Sequence, residues 1–229
     1  MRYKQVQRGR FLARPNRFIA LVELDGKQVV CHVNNTGRCQ ELLRPGAEVI
    51  LAEAQRPDRK TAYDLIAVYK EQLLINIDSQ APNQVAEEYL KRLFPGLTSV
   101  RREYRVGDSR LDLYAEVGER QVYIEVKGCT LEKAGIAMFP DAPTARGVKH
   151  LHTLIKLAAE GKEAWMLFVI QMAGPRCFQP NDHLDPAFGQ ALRKAAAAGV
   201  HIHAVDCCVE EGGLFCQNPI SVLLPQATS

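Results

Sequence analysis

The chain has 229 residues, 47% of them apolar and 24% charged, with a formal net charge of +3; this is ordinary globular usage and excludes a disordered, collagenous or low-complexity protein. No run approaches the roughly 18–20 uninterrupted apolar residues of a membrane-spanning helix, and the opening Met1-Arg-Tyr-Lys-Gln lacks the apolar core of a secretion signal, so no membrane partner and a cytoplasmic location are expected. Seven irregularly spaced cysteines then read as reduced thiols, most of them small core residues, and not as a disulfide framework.

The length exceeds one simple core of about 100–150 residues, so two domains are expected, spanning 1–79 and 80–229. Charge is uneven between them. Residues 1–70 hold 13 Lys/Arg against 7 Asp/Glu, and Arg2, Lys4, Arg8, Arg10, Arg14 and Arg17 all precede the first acid. Such a front reads either as a contact surface for a polyanion or as a solvated basic arm.

In chain order, short β-type runs at 18–24, 28–33, 47–52, 62–68 and 73–77 predict five strands, with Asp25-Gly26 as a hairpin turn and Arg44-Pro45-Gly46 as a second turn. A small β-barrel of oligonucleotide-binding type fits, and so does an SH3-like barrel. After Ser79 the period changes. Val85, Ala86, Tyr89, Leu90 and Leu93 mark one face of a helix ended by Pro95-Gly96, and runs at 98–106, 109–116 and 121–127 predict an antiparallel meander. A long loop follows, and Thr144 caps a helix with the stripe Val148, Leu151, Leu154, Ile155 and Ala158. The unbroken apolar run 165–170 predicts a strand buried on both faces, Asp185-Pro186 opens a further helix, and 200–209 forms a last strand. The order α-β-β-β-α-β-α-β describes an α/β mixed-sheet domain behind the β-barrel.

Strict alternation puts Leu111 and Leu113 on one face of their strand, with Arg110, Asp112 and Tyr114 on the other; in the next strand Tyr123, Glu125 and Lys127 share a face. Two carboxylates brought together on neighbouring strands repel unless a cation lies between them. With neither His nor Cys in the cluster, a hard ion, magnesium or manganese, is the expected cofactor, with Lys127 stabilising charge on a phosphate during phosphodiester hydrolysis. Glu103 is the candidate third metal ligand, with Glu87 or Glu88 as the alternative.

Asp112, twelve residues, then Glu125-Val126-Lys127 on adjacent strands resembles the PD-(D/E)xK nuclease superfamily, with Leu111 in place of that motif's proline; Pro140-Asp141 and Pro57-Asp58 lack a following Glu-x-Lys strand. Over nearly the whole chain, Arg17-Phe18, His32-Val-Asn-Asn-Thr-Gly37, Ser109-Arg-Leu-Asp112, Tyr123-Ile-Glu-Val-Lys127 and the block from Phe139 to Leu151 resemble the sugar fermentation stimulation protein family. That resemblance implies an oligonucleotide-binding barrel, a restriction-endonuclease-like second domain, DNA binding, and a role in regulating sugar metabolism. The nucleic-acid candidates are Arg10, Arg14, Arg17, His32, Asn35, Arg38 and Arg110, with Arg146, Lys149 and His150 as phosphate contacts at the mouth of the site. Asp141 shares their loop. His32 to Arg38 also reads as a plain strand end with a turn, and Phe18 as a core residue. His201, His203, Cys207, Cys208 and Cys216 match no zinc spacing. The expected partner is DNA, with single strands and RNA left open, and the alternative to a nuclease is a DNA-binding regulator that keeps the fold as a scaffold.

Overall fold

The structure, a computed structural model, describes residues 1–35, 37, 39–54 and 59–225. Strands β1 (Val6–Asn16), β2 (Ile19–Leu24), β3 (Lys27–Val33), β4 (Glu48–Glu53), β5 (Tyr63–Lys70) and β6 (Leu73–Asn76) form one sheet in the order β3-β2-β1-β4-β5-β6. A parallel pairing of β3 with β5, Cys31 to Tyr63 through Val33 to Leu65, closes five of them into a ring and leaves β6 outside it. This closure selects the oligonucleotide-binding barrel over the SH3-like alternative.

The barrel core is Phe11, Val22, Cys31, Val33, Val49, Leu51, Leu65 and Val68. The front of the chain is not an arm. Residues 6–16 form the central strand β1, paired with β2 on one side and β4 on the other. Its only fully buried side chain is Phe11, so apolar alternation could not announce it; backbone pairing on both edges holds it. Gly9 is required there, because a Cβ would lie 2.6 Å from Val22 Cγ1 and 3.0 Å from the Glu23 carbonyl. β4 is buried on both faces, since Ile50 and Ala52 leave the barrel core and pack outward toward Val209 of the second sheet.

The second body begins with α1 (Ala81–Leu93) and continues through β7 (Leu97–Val106), β8 (Ser109–Val117), β9 (Arg120–Cys129), β10 (Leu131–Lys133), β11 (Ile136–Phe139), α2 (Ala145–Ala159), β12 (Glu163–Ile170), β13 (Cys177–Pro180), α3 (Pro186–Ala197), β14 (His201–Glu210) and β15 (Gly213–Val222). They form a nine-stranded mixed sheet, β10-β11-β13-β15-β14-β12-β9-β8-β7, in which β9, β12 and β14 run parallel. On β12, Met166 and Phe168 pack with Leu151, Leu154, Phe188 and Leu192 of α2 and α3. Leu167 and Val169 pack with Val85, Ala86 and Leu90 of α1 on the opposite face. Helices therefore cover both faces, as the apolar run 165–170 requires.

Thr144 Oγ1 accepts from Gly147 N at 3.0 Å and Asp185 Oδ1 from Phe188 N at 3.0 Å, so both helix starts stand where their caps place them. The expected long loop is shortened by β10 and β11, and β13 and β15 are also additions; they are short, or carry no clean alternation, and exist through partners distant in sequence. His201 stacks on Trp165 at 4.6 Å between centroids and His203 bonds the Tyr89 hydroxyl at 3.0 Å, which accounts for both histidines without zinc. All seven cysteines are free thiols, and among the described residues no helix is long and apolar enough to cross a membrane.

The two sheets meet through polar groups. Gln171, just after β12, donates to Asn76 Oδ1 at 2.8 Å and to the Asp78 carbonyl at 3.1 Å, while Tyr3 and Asn34 each donate to the Asp78 carboxylate at 3.0 Å. Burial raises the Asp78 carboxyl above its ordinary value, partly offset by the Gln80 N–H first and then by Tyr3 and Asn34. This network fixes the barrel beside the end of β9, where the site lies.

Candidate active site

β8 and β9 pair only from Leu113↔Ile124 to Val117↔Arg120, although β9 runs on to Cys129. Upstream of Leu113, β8 stays with β7 and parts from β9. Asp112 sits at this fork. Its Oδ2 accepts the Val126 backbone N–H at 2.9 Å, standing in for the carbonyl the interrupted ladder no longer provides, and its Oδ1 accepts from Asn83 of α1 at 3.0 Å. The fork also overturns strict alternation. Leu111 packs with Tyr114 and Leu151 on the α2 side, whereas Leu113 packs with Val122 and Ile124 on the α1 side.

Glu125 is 1% exposed. Its Oε1 accepts from both Lys127 Nζ and His150 Nδ1, the latter arriving from α2. Its Oε2 is buried without a hydrogen-bond partner. Burial pushes the Glu125 carboxyl up, but the bond from His150 and the charge and bond of Lys127 more than offset it, so it stays below the ordinary carboxylate range. Asp112 goes the other way: burial first and the Glu125 charge second raise it, against smaller lowering effects of Lys127, Val126 N–H and Asn83.

An unsatisfied carboxylate oxygen in a buried site is costly and is normally relieved by a donor or a cation. Among the described residues no group of three or more His, Cys, Asp or Glu side chains gathers as a metal shell. Asp112 and Glu125 nonetheless suit a hard divalent ion of the magnesium kind, which is commonly bound through one or two carboxylates with water and phosphate oxygens completing its shell.

The third acid expected here does not join them. Glu103, on β7, is held in an ion pair with Arg110 at 2.6 Å, Glu87 pairs with Arg102, and Glu88 receives the N-terminal amine at 2.8 Å. The polar neighbour of Asp112 is instead Asn83, which sequence reasoning missed. His150 is buried against Glu125 and does not stand at the mouth as a phosphate contact; its place beside Leu151 and Leu154 on the apolar stripe of α2 was the available signal. Arg146 lies exposed in the first turn of α2, and Lys149 Nζ reaches the Asp108 carbonyl at 3.5 Å.

On the barrel, Arg14 is occupied: it donates to the carbonyls of Gly37 at 2.9 Å, Arg17 at 2.7 Å and Asn35 at 2.7 Å. Asn35 is likewise spent, donating to the Ile77 carbonyl at 2.8 Å and accepting from Gly37 N at 2.7 Å. Both side chains are thus committed to main-chain groups of the barrel. His32 bonds Asp64 at 3.1 Å, and Asp64 is itself paired with Arg59 at 2.7 Å. Arg10 is exposed on β1 opposite Glu23 and Glu48. Phe18 is a surface residue, 48% exposed, with the Arg17 guanidinium 5.2 Å over its ring, because it falls in the turn before β2 and not within the strand. Thr36, Arg38, Pro57 and Asp58 lie outside the described residues.

Residues 12–77 match the family model described as the SfsA N-terminal OB domain, and residues 80–213 the one described as the sugar fermentation stimulation protein RE domain. A sugar fermentation stimulation protein homolog from Desulfitobacterium hafniense is 50% identical over 225 residues, covering 98% of this chain and 99% of that protein. A homolog from Ruminiclostridium cellulolyticum is 48% identical over 226 residues, covering 98% and 100%. The solved structure of Pyrococcus furiosus SfsA in complex with Ca2+ is 30% identical and superposes with a TM-score of 0.88, covering 97% of this chain and 98% of that one.

Proposed function

The chain belongs to the sugar fermentation stimulation protein family, and from that premise we propose that it binds DNA and hydrolyses phosphodiester bonds with a magnesium or manganese ion held by Asp112 and Glu125. The observation that carries this reading is Glu125 itself, buried, kept ionised by Lys127 and His150, and left with one carboxylate oxygen unpaired. The calcium complex of the Pyrococcus furiosus relative supports it, because calcium takes the same class of oxygen ligands.

When bound, the cation polarises a phosphoryl oxygen and makes water nucleophilic at neutral pH. The protein does the positioning. Asn83 and the Val126 N–H fix Asp112 at the fork, while His150 fixes Glu125 from above. Lys127, its side chain 17% exposed and its ammonium on Glu125 Oε1, stabilises the negative charge that grows on the phosphate. Arg146 and Lys149 align the backbone, and Arg10, Arg17 and Phe18 extend the contact onto the barrel. A cytoplasmic location and the link to sugar metabolism in the family's name belong to the same proposal, with DNA as the shared target.

The test is incubation with labelled single- and double-stranded DNA and RNA in magnesium, manganese or chelator, beside calorimetric metal titration. Cleavage is expected only with metal, and Asp112→Asn should lose both cleavage and most metal affinity while still binding DNA. Metal affinity unchanged by Asp112→Asn would remove the proposed centre, and metal binding without cleavage would favour the scaffold role.

A further inference from the structure

Beside the carboxylate cleft, where the barrel meets the second sheet, lies a cavity of about 150 Å³ lined by Asn35, Gly37, Ser79, Pro82, Gly128, Thr130, Phe139, Asp141 and others. Two of its walls are chain neighbours of the cleft residues: Gly128 follows Lys127, and Pro82 precedes Asn83. The cavity thus shares β9 and the start of α1 with the carboxylate site. Its volume is well below the roughly 300–1,000 Å³ of drug-sized ligand pockets and suits one planar ring system.

The walls are built close. A Cβ at residue 128 would stand 2.4 Å from Gln171 Oε1 and 2.6 Å from Pro82 Cγ, and a Cβ at residue 37 would stand 2.5 Å from Asp141 Oδ2. Several polar groups of the lining are already engaged. The Asn35 amide holds Ile77 and Gly37, the Gln171 amide holds Asn76 and Asp78, and the Ser79 hydroxyl donates to the Asn34 carbonyl at 2.6 Å. Asp141 brings a carboxylate, an acceptor with two oxygens side by side. Pro82, Met138 and Phe139 supply apolar surface of the kind that lies against a ring face.

We propose that this cavity is a subsite for one unpaired nucleobase next to the phosphate held at Asp112, Glu125 and Lys127, and that Asp141 makes guanine its preferred occupant. Guanine alone among the bases carries two adjacent N–H donors, N1 and N2, on its pairing edge, matching the two carboxylate oxygens. Thymine offers one N–H between two carbonyls, and adenine and cytosine one amino group beside an acceptor. In a duplex that edge is engaged by the complementary base, so the preferred substrate has a frayed end, an overhang or an extruded nucleotide. This inference rests on the nucleic-acid reading of the cleft.

The experiment is anisotropy binding in calcium of short duplexes whose single-stranded overhang carries guanine, hypoxanthine, which lacks the N2 amine, or thymine. Wild type should favour guanine over hypoxanthine by on the order of 10-fold, the scale of one charged hydrogen bond. That preference should collapse in Asp141→Asn and also in Asp141→Ala, with thymine-overhang binding changed less than about twofold. Equal binding of guanine and hypoxanthine by wild type overturns the subsite while DNA binding stands. A guanine preference that survives both variants overturns the role of Asp141. Failure of wild type to bind any of the three DNAs overturns the underlying reading, and the subsite with it.

Discussion

The first strand of the barrel and the fork between β8 and β9 are both dense in charge, but they use it differently. Just before that strand Arg2 meets Glu210 at 3.2 Å, and on it Arg8 meets Glu48 at 2.8 Å and Glu211 at 2.6 Å, while Arg14 is absorbed by three carbonyls. The ion pairs lie in solvent, where such contacts contribute little. At the fork, Asp112, Glu125, Lys127 and His150 converge out of water, and one oxygen of Glu125 is left over. A count of charges along the sequence favours the barrel as the functional surface. Burial and incomplete pairing favour the fork, and these are the better guide, because a charge held against desolvation must be stabilised by its surroundings, whereas solvated charges are common on any surface.

The largest expected effect separates the two regions by stability. Glu125→Gln leaves Lys127 and His150 without their carboxylate and should cost about 3–5 kcal/mol in urea unfolding under chelator, as for other broken buried pairs, whereas Arg8→Ala should unfold with the parent. If Arg8→Ala proves the more damaging, the contrast is reversed.

Next in size, Lys127→Met should lower the cleavage rate about 100-fold or more, the scale of removing one charge-stabilising donor, with metal affinity in calorimetry nearly unchanged. A variant that keeps its rate would confine Lys127 to holding Glu125.

The pH dependence sharpens the comparison within the fork. Glu125 is held below its ordinary value, so its stabilising contribution is present above the unfolded carboxylate pKa and is lost as pH falls through the folded one. Asp112 is held above its ordinary value, so its contribution is full in acid and is lost as pH rises through its folded pKa. In chelator, Asp112→Asn should therefore be at least as stable as the parent at neutral pH, with the advantage shrinking toward pH 4, and thermal melts across that range should show it. An Asp112→Asn protein less stable at neutral pH would mean that the Val126 and Asn83 bonds outweigh desolvation.

The smallest effects belong to the barrel. Neutralising Arg10 or Arg17 should each reduce the salt dependence of DNA binding by about one counterion, while Arg14→Ala should lower stability and leave the salt slope alone. A slope that Arg14→Ala flattens would return that residue to the contact surface.

Much of this architecture was legible. Thr144 and Asp185 announced their helices, because a cap acts within one turn of its own residue. The run 165–170 announced a central strand, because burial on both faces writes itself into consecutive positions. The spacing from Asp112 to Lys127 marked the two neighbouring strands, β8 and β9, that carry those side chains. β1 was illegible, since a strand paired on both edges needs few apolar side chains, and so was β13, whose four residues carry too short a pattern to register.

What the amino-acid order determined by itself is what short-range physics encodes: periods, caps, turns and the chemical identity of Asp112, Glu125 and Lys127. The tertiary structure alone decided that β8 leaves β9 at Leu113, that Asn83 reaches Asp112 across 29 positions, that His150 reaches Glu125 across 25, and that Gln171 joins Asn76 across 95. It also decided which arginines remain at the surface. Each of these depends on which distant partner satisfies a buried polar group first, and no local pattern records that competition.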